Sequence, residues 1–138
     1  MTTYPEIRAA LEKSAVLTTG FPAAGHRAWE NAKFKPTPGT SWARLTLLPG
    51  ESRPAVRGAN PVLEYVGLFQ VDIFIPEGHG PGGADNLADA IRNQFEPGTD
   101  ITEGSVTVRI RHSERSAGSS DASWYMVSIT VSWYSFST

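Results

Sequence analysis

The chain has 138 residues with 12 basic and 14 acidic side chains, a formal net charge of -2. One hydrophobic core suffices at this length, and no overall field favours tight, sequence-independent binding to a polyanion. Cysteine is absent, which excludes thiol nucleophiles, thiolate metal sites, iron–sulfur clusters and disulfides.

At the N-terminus, "MTTYPEIRAALEK" is charged where a signal peptide would be apolar, and no apolar run is long enough to span a membrane as a helix. These features predict a soluble, unexported protein. Thr3 is placed to cap a first helix, with Glu6 as its reciprocal partner and Pro5 in the first turn. Ile7, Ala10 and Leu11 share one face of it. In "HRAWENAKFKPTPGTSW", Pro36, Pro38 and Gly39 exclude a long regular element, and Trp29 and Phe34 are expected to anchor the segment.

"SWARLTLL" alternates as a half-buried strand, with Ala43, Leu45 and Leu47 inward and Trp42, Arg44 and Thr46 outward. "PGESRPAVRGANP", which carries Arg53 and Arg57, reads as a solvated loop that stays mobile until a partner orders it. From Glu64 to Ile75 the alternation returns and is longest, setting Tyr65, Phe69, Val71, Ile73 and Ile75 on one face and Leu68, Gln70, Asp72 and Phe74 on the other. Beyond a glycine-rich turn, Ala84, Leu87, Ala88, Ile91 and Phe95 follow helical spacing. Two further strands follow: "GSVTVRIRH" with Val106, Val108 and Ile110 inward, and "SWYMVSITVSWYSF" with Tyr125, Val127, Ile129, Val131 and Trp133 inward. The pattern predicts an α+β fold over residues 1–138, a mainly antiparallel sheet of four to five strands with two helices packed on one face.

"GHGPGG" (78–83) fits the G-x-G-x-x-G spacing of a dinucleotide turn between a strand and a helix. A small nucleotide-binding enzyme using Gly78 to Gly83 is therefore one reading. Against it, the preceding strand carries Gln70 and Asp72, Glu77 adds negative charge, and no Lys or Arg lies between Arg57 and Arg92. No G-K-[ST] follows, so a P-loop is excluded. His26, His79 and His112 lack metal-ligand spacing, no G-x-S-x-G elbow occurs, and Asp85 and Asp89 suit a helix's N-terminal half. No cofactor, metal or catalytic residue is expected.

Arg109 and Arg111 share a strand face with Arg44 and form a candidate basic strip. The same outer face holds many apolar side chains: Trp42, Leu48, Val66, Leu68, Phe74, Trp124, Met126, Tyr134 and Phe136. A monomer with that face in water would not need them, and the short polar links leave little chain to cover it. Other subunits are the expected cover.

"IRAALEK", "AWENAKFKPTPGTSWARLTLLPGE", "GLFQVDIFIPEGHGPGGADNLADAIRNQF", "VTVRIR" and "WYMVSITVSWY" resemble the tail terminator proteins of long-tailed phages and prophages. That resemblance covers nearly the whole chain and implies an α+β sheet with helices on one side. It also implies a six-subunit ring in the virion tail that caps the growing tube, stops its polymerisation and presents a surface to head-completion or neck proteins. No enzymatic chemistry is implied. The expected partners are further copies of the chain, the tail-tube protein, the head-completion protein and DNA passing through the lumen without sequence-specific binding, with no membrane. Before assembly the protein would lie in the host cytoplasm. The residues expected at a subunit or tube interface are Trp42, Arg44, Arg53, Arg57, Leu68, Phe74, Arg109, Arg111 and Trp124. A neck component of the same fold, or a cellular adaptor, would share most of these features.

Overall fold

The computed structural model describes residues 4–55 and 62–136. Helix α1 (Tyr4–Val16) is followed by strands β1 (Arg27–Ala28), β2 (Trp42–Pro49), β3 (Arg53–Pro54) and β4 (Leu63–Pro76). Helix α2 (Gly82–Gln94) then leads to β5 (Asp100–Glu103), β6 (Val106–Arg115), β7 (Ser119–Asp121) and β8 (Trp124–Phe136). Thr3, the expected cap of α1, lies outside the described residues.

The eight strands among the described residues belong to one sheet, ordered β1-β2-β4-β8-β6-β5, with β3 beside β4 and β7 beside β8. It is larger than the four to five strands expected and it is mixed: β1 runs parallel to β2, and every other pairing is antiparallel. The four long strands are those that alternation marks. The additional strands are two to four residues long, too short to show a period of two.

Register puts every second residue of neighbouring strands on one side. Leu45↔Val71↔Ile129 and Leu47↔Phe69↔Val131 line the inner face, where Ile7, Leu11, Leu87, Ile91 and Phe95 of the helical layer meet them. α1 packs over β5 and β6, and α2 over β8, β4 and β6. The expected core positions of both helices and of the four long strands are all in this layer. Pro81 precedes helix α2 as its N-cap residue without a side-chain cap bond, and the guanidinium of Arg115 holds the first turn by donating to Asp85 Oδ1 at 2.6 Å.

Two local devices shape the sheet. Gly67 sits opposite both Pro49 and Trp133, and a β-carbon there would lie 2.7 Å from the Leu48 carbonyl oxygen and 2.7 Å from the buried Trp133 indole. Only glycine admits so close an approach. In β6 the register shifts between Ile110 and His112, so the strand carries one extra residue, Arg111, and Ser113 rather than His112 turns inward.

β1 covers only Ala43 and Arg44 of the edge of β2. Farther along, the Leu47 N–H donates to Glu30 Oε1 at 2.6 Å, and Arg8 donates to the same oxygen at 2.7 Å. One carboxylate thus closes an otherwise open backbone donor and ties α1 to the sheet. Burial disfavours the ionised form of Glu30, but the Arg8 hydrogen bond, the Leu47 N–H and the Arg8 charge together hold its carboxyl below the usual carboxylate value.

Candidate assembly surface

The sheet face away from the helices divides into three zones. At the first, β2 and β4 set Trp42 opposite Phe74, and their rings stack with centroids 3.9 Å apart and 5° between planes. Trp124 meets Trp42 edge-on at 6.0 Å, and Phe34 lies against its ring at 5.0 Å. The segment from Phe34 to Ser41 thereby forms a strap, turned at Gly39 (φ 80°) and held by a Thr40 N–H to Thr37 carbonyl bond. Trp42 is 9% and Phe74 1% exposed, and Trp124 is half-buried. The chain therefore covers this end itself, against the expectation that its links are too short to do so. Phe34 anchors the strap as expected. Trp29 does not: it is 37% exposed.

The middle zone is polar. Asp72 is 2% exposed and fully engaged: Arg44 donates from Nε and approaches through Nη2, both 3.0 Å from Oδ2, while Gln70 and Ser128 donate to Oδ1 at 2.9 and 2.5 Å. Arg44 also lies over the Phe74 ring, 5.2 Å from its centroid. Its guanidinium is committed to this network, so Arg44 orders the face.

The third zone is open. Leu48 faces Leu68 across β2 and β4, Val66 faces Tyr134 across β4 and β8, and Tyr134 and Phe136 form an edge-to-face pair at 5.7 Å. Leu48, Leu68 and Phe136 are 40 to 42% exposed. The guanidinium of Arg111, re-aimed by the bulge, rests 4.6 Å above the Tyr134 ring. Arg109 lies 3.9 Å from Asp100, and Arg53 pairs with Glu64 at 3.0 Å on the rim. Arg57 is outside the described residues. Of the residues singled out by sequence, the structure therefore gathers Leu68, Arg109 and Arg111 in one region, and buries Trp42 and Phe74 in another.

A second apolar region lies on the helical side. Ala9, Glu12, Val16 and Trp29 line a groove there, and Leu17, next after Val16, is 74% exposed. Sequence gave no signal for it, because Leu17 follows the last helical turn and belongs to no periodic face. Burial pushes the Glu12 carboxyl up, and Arg8, 3.5 Å away but closer to Glu30, offsets only part of that.

Among the described residues no group of three or more His, Asp or Glu side chains is placed to hold a metal ion. At the glycine turn, Gly78 and Gly80 have φ of 93° and 73°, which accounts for those two glycines. Among the described residues, all three strands that pair with β4 (β2, β3 and β8) run antiparallel to it, so the turn lacks the parallel crossover of a dinucleotide site, and Glu77 lines the adjoining hollow. No helix among the described residues is long and apolar enough to cross a membrane.

A family model described as phage tail terminator protein matches residues 6–133. The chain belongs to the phage tail terminator family. The family is a structural, non-enzymatic one of the virion tail, with a role in tail completion, and its fold here is α+β with two helices and a mixed sheet. Seven solved chains match this tail terminator. One of them has 26% sequence identity and a TM-score of 0.73, covering 100% of this chain and 98% of its own. No curated protein sequence matches significantly.

Proposed function

We propose that this tail terminator, a single domain over residues 1–138, closes as a six-subunit ring on the last ring of a tail tube. There it stops polymerisation and presents its opposite surface to a head-completion or neck protein, with DNA passing through the lumen unread. The observation that supports this reading best is the family match over residues 6–133 together with an apolar sheet region left uncovered by the chain's own strap. A structural partner buries such a region, and a chemical substrate does not need it. In this reading the protein waits in the host cytoplasm until a tube reaches its length.

Gene disruption tests the function apart from the geometry. Particles assembled without the protein are expected to carry tails of irregular, extended length that do not join heads. Tails of normal, uniform length in its absence would reject the reading.

A further inference from the structure

The long strands toward the two sides of the sheet, β2 and β6, are finished differently. On β2, the short parallel β1 covers Ala43 and Arg44, and the Glu30 carboxylate takes the Leu47 N–H. On β6, β5 covers Val106 to Arg109, and Gly98 and Thr99 take up the main chain of Ile110. Beyond the bulge, β6 keeps plain register with β8 from His112 to Arg115 and has no strand on its other side among the described residues. The Ser116 N–H donates to the Ser128 carbonyl, so by alternation His112 and Glu114 also turn their main-chain groups to β8. Ser113 and Arg115 then turn theirs away from the sheet, and among the described residues nothing pairs them. Such an edge is a template for one more strand.

Helix α2 walls this edge. Asp89, Arg92, Asn93 and Glu96 follow one another at helical spacing and, with His112 and Ser113, line a hollow between helix and strand. Ser113 is 3% exposed, and its hydroxyl has no hydrogen-bond partner among the described residues. Asp89, Arg92 and Glu96 form no ion pair there either, so two carboxylates face one guanidinium. The neighbouring charges are matched: Arg115 with Asp85, His112 with Glu114 and Arg109 with Asp100. Arg111 lies over Tyr134 on the other sheet face. The groove therefore holds an excess of negative charge.

We propose that this groove binds an extended segment of a partner protein, which adds to β6 as a strand beside Ser113 and Arg115 and sets a basic side chain against Asp89 and Glu96. Main-chain groups on an edge recognise another main chain, and the side-chain groove beside them selects which one. The inference stands apart from the ring reading, since it needs a single copy of the chain.

Short blocked peptides are the probes, one alternating lysine with threonine and one alternating glutamate with threonine. The lysine peptide should bind the full chain and slow hydrogen exchange at the Ser113 and Arg115 amides, and the glutamate peptide should bind about tenfold or more weakly. Methylating alternate main-chain nitrogens of the lysine peptide should abolish binding in one phase and spare it in the other, because every second residue of an added strand faces the edge. Asp89→Lys with Glu96→Lys should reverse the preference between the peptides. Both side chains are exposed and unpaired, so the melting temperature should stay near the parent's.

Equal binding of the two peptides, no binding of either at millimolar concentration, or binding that leaves the Ser113 and Arg115 amides unprotected would overturn the proposal. So would protection of those amides that grows with the concentration of the protein alone, which would give the edge to a second copy of the chain.

Discussion

Replacing Trp133 by alanine is expected to cost about 3–5 kcal/mol of folding free energy, the range for deleting a large buried aromatic side chain. The side chain is 1% exposed on the inner sheet face, where the helical layer closes over the core. Domains of this size are held by roughly 5–15 kcal/mol, so the variant should unfold at a far lower denaturant concentration. The indole is also bound to its neighbour by sterics. A β-carbon at Gly67 would meet the indole at 2.7 Å and the Leu48 carbonyl oxygen at 2.7 Å, the second contact being backbone.

Gly67→Ala should therefore cost about 1–3 kcal/mol in the wild-type background. In a Trp133→Phe background the ring atoms pressing on Gly67 are gone and the Leu48 contact persists, so only part of the cost should vanish. A double-mutant cycle from urea titrations should return a coupling of about 1 kcal/mol. Strict additivity would show that the backbone contact alone dictates the glycine.

The second large effect is expected at Arg44. Arg44→Met should cost about 2–3 kcal/mol, somewhat below the usual penalty for orphaning one member of a buried ion pair. The reason is asymmetry. Asp72 is 2% exposed, whereas the Arg44 side chain is 48% exposed, so removing the arginine strands a buried carboxylate. Gln70 and Ser128 still donate to that carboxylate, which softens the loss. Removing Asp72 instead frees an arginine that water can solvate, and Asp72→Asn, which keeps the shape, should cost less than Arg44→Met. Equal losses in thermal unfolding for the two variants would show that the network acts as an exposed ion pair.

These two sites mark what was legible in the sequence. Alternation assigns Phe69, Val71, Ile73, Val127, Ile129 and Trp133 to the core, because one buried face imposes a period of two on long strands. Helical spacing does the same for Leu87, Ile91 and Phe95. The short strands β1, β3, β5 and β7 leave no such trace, since pairing with a longer neighbour defines them. Polarity alone places Asp72 outward, and its burial depends on Arg44, Gln70 and Ser128 arriving from three strands in register.

The candidate surface was legible in outline and misdrawn in detail. Pro36, Pro38 and Gly39 announce an irregular segment but not its path, and that path lays Phe34 over Trp42. This single fold-back moves Trp42 and Phe74 from the exposed set to the buried one. Likewise Arg109 and Arg111 read as neighbours at strand spacing, while the bulge that re-aims Arg111 onto Tyr134 falls between Ile110 and His112, where no turn residue or glycine announces it. What remains open, around Leu48, Leu68 and Tyr134, is a smaller patch than composition suggests and sits at one end of the sheet.

Electron microscopy of purified tail tubes incubated with the protein tests the central claim most directly. The account predicts a six-fold ring of added density seated on the last tube ring at one end only, and tubes so capped that no longer elongate when tube protein is supplied. Protein bound along the tube wall, or capped ends that continue to grow, would contradict it.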